Sequence, residues 1–172
     1  MESPDANPDV GRPGRPAGGW RIVRDDLTHP DVIALIVLHL RAAHENSPPG
    51  SVFALDIGGL RDPAVTVWSA WDGDDLVGLG ALNDLGDGGS EGELKSMRTA
   101  PAHLRRGVAR SMLDHLVAEA RRRKYRRVSL ETGNTAPFAA ARSLYATAGF
   151  VECGPFGAYS DTQFATYYTL AL

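Results

Sequence analysis

From residue 107 to residue 124 the apolar side chains Val108, Met112, Leu113, Leu116, Val117 and Ala120 are spaced by four, one, three, one and three positions. Such spacing predicts one amphipathic helix, with Arg110, Asp114 and Glu119 off its buried stripe. A second apolar run, residues 32–38, follows Thr28, Pro30 and Asp31. Thr28 can cap a helix, Pro30 suits a first turn and Asp31 complements the helix dipole. Asn46-Ser47-Pro48-Pro49-Gly50 stops that helix, and a short connector of helical character follows over residues 52–60. The runs 65–71 and 76–82 flank Asp72-Gly73-Asp74-Asp75, which predicts a β-hairpin. Residues 20–24 read as a first strand, 84–92 as a Gly-rich loop, and 93–98 and 126–131 as further strands. A helix over 137–148 and strands over 150–153 and 164–170 complete the chain. The order β-α-(α)-β-β-β-α-β-α-β-β predicts a mixed α/β sheet, antiparallel early and with a crossover late.

Composition adds limits to this pattern. At 172 residues, 43% hydrophobic and 23% charged, the chain can bury one sizeable core, so residues 20–172 form one domain. Residues 1–19 hold four Pro and four Gly with almost no large apolar groups, the composition of a disordered tail. A net charge of -3 gives no reason to expect nucleic acid. The single Cys153 rules out an internal disulfide and fits a reducing compartment. The longest apolar run has seven residues, far short of the ~20 of a membrane span, and no signal segment is recognisable. A cytoplasmic protein with no membrane partner is expected.

The segment 100–110, Ala-Pro-Ala-His-Leu-Arg-Arg-Gly-Val-Ala-Arg, leads from a strand into the long helix. Helix starts carry unpaired N–H groups and about half a positive charge, so they can hold a phosphate. Gly107 lets the chain bend, Ala109 leaves the backbone accessible, and Arg105, Arg106 and Arg110 add charge. The same residues can also be an ordinary turn with solvated arginines. No Gly-Lys-Ser/Thr and no second glycine is present, which removes the Walker and dinucleotide readings.

Three motifs then stand in order: residues 93–101 (ELKSMRTAP), 106–110 (RGVAR), and Ala141-Arg142-Ser143-Leu144-Tyr145 with Gly149-Phe150. Together they resemble the GNAT superfamily of N-acetyltransferases over roughly residues 76–170. The resemblance implies a mostly antiparallel sheet flanked by helices, with a central splayed strand pair, and acetyl-CoA as co-substrate. It places the pyrophosphate at Arg105, Arg106, Gly107, Val108, Ala109 and Arg110, and the pantetheine arm along Met97, Arg98 and Thr99. It puts Tyr145 beside the thioester sulfur as general acid and a backbone N–H near Met97 at the carbonyl oxygen. Leu104 and Arg105 depart from the family's phosphate loop, where Gln/Arg and Gly are usual. Phe138 stands where many members carry Asn, and Asn134 is the nearby substitute.

The implied chemistry needs a neutral amine. A lysine-like amine of pKa about 10.4 costs roughly 4.6 kcal/mol to present neutral at pH 7, an α-amine near 8 only about 1.4 kcal/mol. Glu93 is the first candidate base, directly or through water, and Glu131 the second; a solvated strand-edge carboxylate is the alternative for Glu93. Strand alternation puts Glu93, Lys95 and Met97 on one face. In the resembling fold residues 44–51 wall the acceptor side, where His44 and Ser47 can hydrogen-bond, Pro48 stiffens the loop, and Glu45 and Asp56 attract a cation. The acceptor is read as a small-molecule amine or amino-acid-like compound, and a homodimer is common among similar proteins. The cations in residues 121–127 split between a helix end and a strand, which argues against a nucleic-acid face. The five His show no ligand spacing, so no metal is expected. A non-catalytic CoA-binding regulatory module is the alternative function.

Overall fold

The computed structural model describes residues 19–86 and 90–172. The expected tail lies outside the described residues, apart from Gly19, as does the middle of the Gly-rich loop. The elements are β1 (Arg21–Arg24), α1 (Pro30–Asn46), α2 (Ile57–Leu60), β2 (Val65–Asp72), β3 (Asp75–Asp84) and β4 (Glu91–Thr99). They continue as α3 (Val108–Arg122), β5 (Arg127–Gly133), α4 (Ala139–Thr147), β6 (Val151–Cys153) and β7 (Ala165–Ala171). One sheet orders the strands β1-β2-β3-β4-β5-β7-β6. All neighbours are antiparallel except β4 and β5.

Local chemistry explains most of these elements. Gly73, at φ +61°, turns the β2–β3 hairpin in the left-handed region that glycine adopts without strain. The cap of α1 differs from expectation. His29 is the N-cap, its Nδ1 accepting from the Asp31 amide at 3.2 Å, while Thr28 donates its hydroxyl to Asp26. The connector is helical only over Ile57–Leu60, where the Asp56 carboxylate caps the Gly59 amide at 2.8 Å.

The sheet carries a core on each face. On one, α3 seats Val108, Met112, Leu113 and Leu116 against Leu82, Leu94 and Val128. On the other, α1 and α2 bring Val32, Leu35, Ile36 and Leu60 onto Val67, Leu79 and Ala81. The α3 stripe is the predicted one, with one correction: Glu119 is also buried. It escapes an unpaired charge because Arg122 and Arg123 both donate to it at 2.7–2.8 Å. Arg123 reaches on to the Thr66 hydroxyl and lies over Trp68. The cationic run is therefore dispersed. Arg121 and Arg122 end the helix, Arg123 caps it, Lys124 turns at φ +62° and Arg127 opens β5.

Close approach of α3 to the sheet depends on glycines in β3. A Cβ on Gly78 would lie 2.8 Å from Val108 Cγ1 and 2.9 Å from the Arg98 carbonyl oxygen. The second contact is backbone and cannot swing away. Gly78→Ala should therefore lower unfolding free energy by about 1–3 kcal/mol, the usual cost of overpacking. Urea titration checks this, and an unchanged midpoint would mean that α3 does not press on the sheet there.

Candidate active site

The site begins with one extra residue in β4. Directly opposed residues of adjacent strands share a face. Leu82 opposes Leu94, and both belong to the α3 core. Ala81 opposes Lys95 and Leu79 opposes Arg98, and both β3 partners belong to the α1 core. Between those two pairs β4 advances three residues while β3 advances two, with Ser96 at φ +52°. This is a β-bulge. Simple alternation put Met97 beside Glu93 and Lys95. The bulge instead packs Met97 against the α3 core and brings Arg98 onto the face of Glu93 and Lys95.

A second irregularity opens the sheet. β4 and β5 pair only at Glu91–Arg127, Gly92–Val128 and Glu93–Ser129, although β4 runs on to Thr99 and β5 to Gly133. Beyond that point the strands part over a cavity of about 240 Å³. Its walls are the C-terminal half of α1, the segment 51–54, both parted strands, and Phe138 and Tyr145 from the α4 side.

The ionisable groups in it differ in how they are held. Glu93 is buried and accepts three hydrogen bonds. Asn83 Nδ2 donates to its Oε2 at 3.2 Å, Lys95 Nζ donates to Oε1 at 3.2 Å, and the Tyr159 hydroxyl donates to that same oxygen. Lys95 also donates to the Tyr159 oxygen at 2.7 Å. Burial and Glu93 hold the Tyr159 proton far above the ordinary phenol range. Its ring packs edge-on against Phe53 and Phe156, so the network ties β4 to two loops.

Glu131, on β5, also faces the cavity, and no hydrogen bond or ion pair engages its carboxyl among the described residues. Burial pushes it up to about 7, with Glu93 reinforcing and Lys95 opposing. Tyr145 is 7% exposed and is pushed up to about 12 by burial and by Glu131, so it keeps its proton at neutral pH. His39 of α1 is held down to about 4 by burial and by Arg98, and is neutral there.

The other predicted positions divide. At the α3 start, Arg105 (φ +60°) and Gly107 (φ +84°) shape the turn, and the first helical bond is Ser111 to Gly107. The amides of Val108, Ala109 and Arg110 precede it and have no acceptor within the helix. A Cβ at Gly107 would meet nothing within 4 Å, so the approach is open. The Arg106 side chain is engaged within the protein. It donates to Asp72 at 3.3 Å and to His103 at 2.5 Å and lies over Trp20. Arg110 pairs with Asp114, and Arg105 is exposed.

Asn134 donates its side chain to the Gln163 carbonyl at 2.7 Å and does not line the cavity. Phe138 does, its ring pressed on Gly133. Of the acceptor-side trio only Ser47 lines the cavity. His44 bonds back to the Leu40 carbonyl and Pro48 lies outside. Asp56 is spent as the α2 cap and Glu45 is exposed. Sequence reasoning missed Tyr159, Phe53 and the inward turn of Arg98. Among the described residues no cluster of His, Cys, Asp and Glu is suited to a metal, and no helix is long and apolar enough to cross a membrane.

A mixed sheet parted at one parallel pair, beside a helix that opens on free amides, is the frame of an N-acetyltransferase. The profile of the Acetyltransferase (GNAT) family matches residues 15–150, and the chain belongs to that family, whose acyl donor is acetyl-CoA. It is 47% identical over 148 residues to the uncharacterised N-acetyltransferase YsnE of Bacillus subtilis (strain 168), an alignment covering 86% of this chain and 97% of YsnE. With the uncharacterised N-acetyltransferase YedL of Escherichia coli (strain K12) identity is 48% over 153 residues, 89% and 95% of the two chains. A Bacillus subtilis acetyltransferase solved in complex with CoA shares the fold, with a TM-score of 0.67 at 16% identity over 89% and 99% of the chains.

The raised Glu131 pKa has a consequence for stability. Folded Glu131 holds its proton to about 7, against a value of 4.5 without the fold. Its stabilising contribution is complete below the lower value and is lost as pH rises through the upper one. Glu131→Gln does not ionise. Its melting temperature relative to the parent should therefore climb between about pH 4.5 and about pH 8. A pH-independent difference would remove the raised pKa.

Proposed function

We propose that the protein moves the acetyl group of acetyl-CoA directly onto the amine of a small-molecule acceptor bound in the β4–β5 cavity. The observation that carries this reading is the convergence of an unengaged carboxyl, Glu131, and a proton-holding phenol, Tyr145, on the space where the two strands part. The donor supplies an acyl group activated as a thioester. The amides of Val108, Ala109 and Arg110 would hold its pyrophosphate, with Gly107 leaving room for close approach. The backbone of Met97 and Thr99 would hold the pantetheine arm. The β3 ladder skips Ser96 and Met97, which supports the Met97 amide as the donor to the carbonyl oxygen.

Glu131, titrating near 7, is matched to accept the proton of the attacking amine. Glu93, first choice from the sequence, has its carboxylate engaged by three donors; in this reading it fixes the cavity wall and supplies negative charge. Tyr145 presents an O–H to the sulfur from which the acyl carbon parts. No covalent enzyme intermediate is invoked, because no cysteine lines the cavity and Cys153 sits on the edge strand β6. A non-catalytic module is not favoured, since acid–base groups of suitable pKa line the space.

Purified protein should release CoA thiol from acetyl-CoA in the presence of an amine acceptor. Absence of release across amines, amino acids and peptides would count against the reading. Tyr145→Phe should lower kcat about 100-fold or more with calorimetric CoA affinity retained. Glu131→Gln should do the same and abolish the rise of rate with pH through about 7, because only the ionised carboxylate accepts a proton.

A further inference from the structure

The bulge at Ser96 leaves the cavity with an unusual charge inventory. Glu93 and Lys95 neutralise each other at 3.2 Å. Two groups remain, Arg98 on β4 and Glu131 on β5, and both line the cavity. Among the described residues Arg98 makes no ion pair and no side-chain hydrogen bond, and its Nε is buried with no partner. No ion pair within 4.0 Å joins it to Glu131. A half-buried guanidinium without an acceptor is costly unless something fills it. Its planar fork matches a carboxylate through two parallel N–H donors. His39, kept neutral beside Arg98, adds a ring N–H without adding charge.

We infer that the acceptor is a free amino acid, its carboxylate taken by the Arg98 guanidinium while its amine faces Glu131 across the cavity. This rests on the acetyltransferase reading and narrows it. A zwitterion is the ligand that meets one unpaired cation and one unpaired carboxyl with its own two charges in one small space. The volume of about 240 Å³ is on the small side of ligand sites, which typically run about 300–1,000 Å³. A peptide amine carries a neutral amide where the carboxylate would be, and leaves Arg98 unfilled. A simple alkylamine does the same.

The test compares each of the twenty common amino acids with its α-carboxamide, in thiol release and in thermal shift of the CoA-bound protein. Amidation keeps the amine and the side chain but removes the carboxylate charge. It also makes the amine easier to deprotonate, so on intrinsic reactivity the amides would be the better acceptors. The expectation is the reverse. At least one free acid should be used, and should stabilise the CoA complex, about 10- to 100-fold better than its amide, the worth of a charged hydrogen bond. Arg98→Gln should erase that preference, chiefly through KM for the acid, with calorimetric CoA affinity retained, and Arg98→Lys should restore part of it. Equal use of acid and amide, or a preference that survives in Arg98→Gln, overturns the inference. Turnover of alkylamines or peptides alone also overturns it while leaving the acetyltransferase reading intact. Failure to bind CoA at all sinks that reading first.

Discussion

The whole site depends on β4 being one residue too long for its neighbour. A strand that alternated to its end would send Lys95 and Met97 to one face and bury Arg98 in the α3 core. Ser96, at φ +52°, absorbs the extra residue and exchanges those positions. A non-glycine residue in that region costs about a kcal/mol or more, so the surrounding ladder must hold it there. The ladder does so on both sides: Leu94 and Lys95 are paired before the bulge, and Arg98 and Thr99 after it. The bend also accompanies the loss of pairing to β5 after Glu93. One irregularity thus reverses a side-chain sequence, and it lies where the sheet opens and where backbone groups leave the ladder.

The periodic parts of this architecture were legible because burial imposes a rhythm on the residues themselves. The α3 stripe from Val108 to Ala120 and the Asp-Gly hairpin at residue 73 follow from spacing and turn chemistry alone. The open start of α3 was legible too, since a lone glycine before an amphipathic helix marks such a start. The acceptor side was much less so. The bulge falls on a serine, which carries no sign of positive φ. Tyr159 lies 66 residues from Glu93 in a stretch without periodicity, and only folding brings its hydroxyl to that carboxylate. Phe138 lies against the cavity where a polar group was sought, while Asn134 is turned to the Gln163 carbonyl. Charge counting alone did not show that the Arg106 guanidinium also braces the turn against Asp72 and Trp20, contributing packing as well as charge.

The cavity's polar groups fall into a fixed set and a free set. Glu93, Lys95, Tyr159 and Asn83 satisfy one another, and a satisfied buried network is rigid. Through the Phe53 and Phe156 rings against Tyr159, that rigidity passes to the loops on both sides. Arg98 and Glu131 have no such commitments. Groups that must exchange protons or partners during turnover have to be left unengaged, and their neighbours must be immobile enough to keep them so. The two glutamates differ accordingly: Glu93 accepts three hydrogen bonds, whereas Glu131 accepts none among the described residues.

Seating an acceptor carboxylate on Arg98 would also act on the amine. In a free amino acid the nearby carboxylate stabilises the ammonium form, which raises the free energy needed to expose a nitrogen lone pair. Pairing that carboxylate with a guanidinium cancels much of its field at the nitrogen. Withdrawal from water penalises the ammonium further. Each pKa unit removed in this way is worth about 1.4 kcal/mol of the cost of presenting a neutral nucleophile. Glu131 acts in the opposite direction while ionised, since its charge favours the ammonium. Only when it takes the proton does that opposition end, and the half-titrated carboxyl at about 7 is poised for that exchange. Seated in this way, an acceptor would be both positioned by Arg98 and made less demanding of a base, two effects of one charge placed by a single inserted residue.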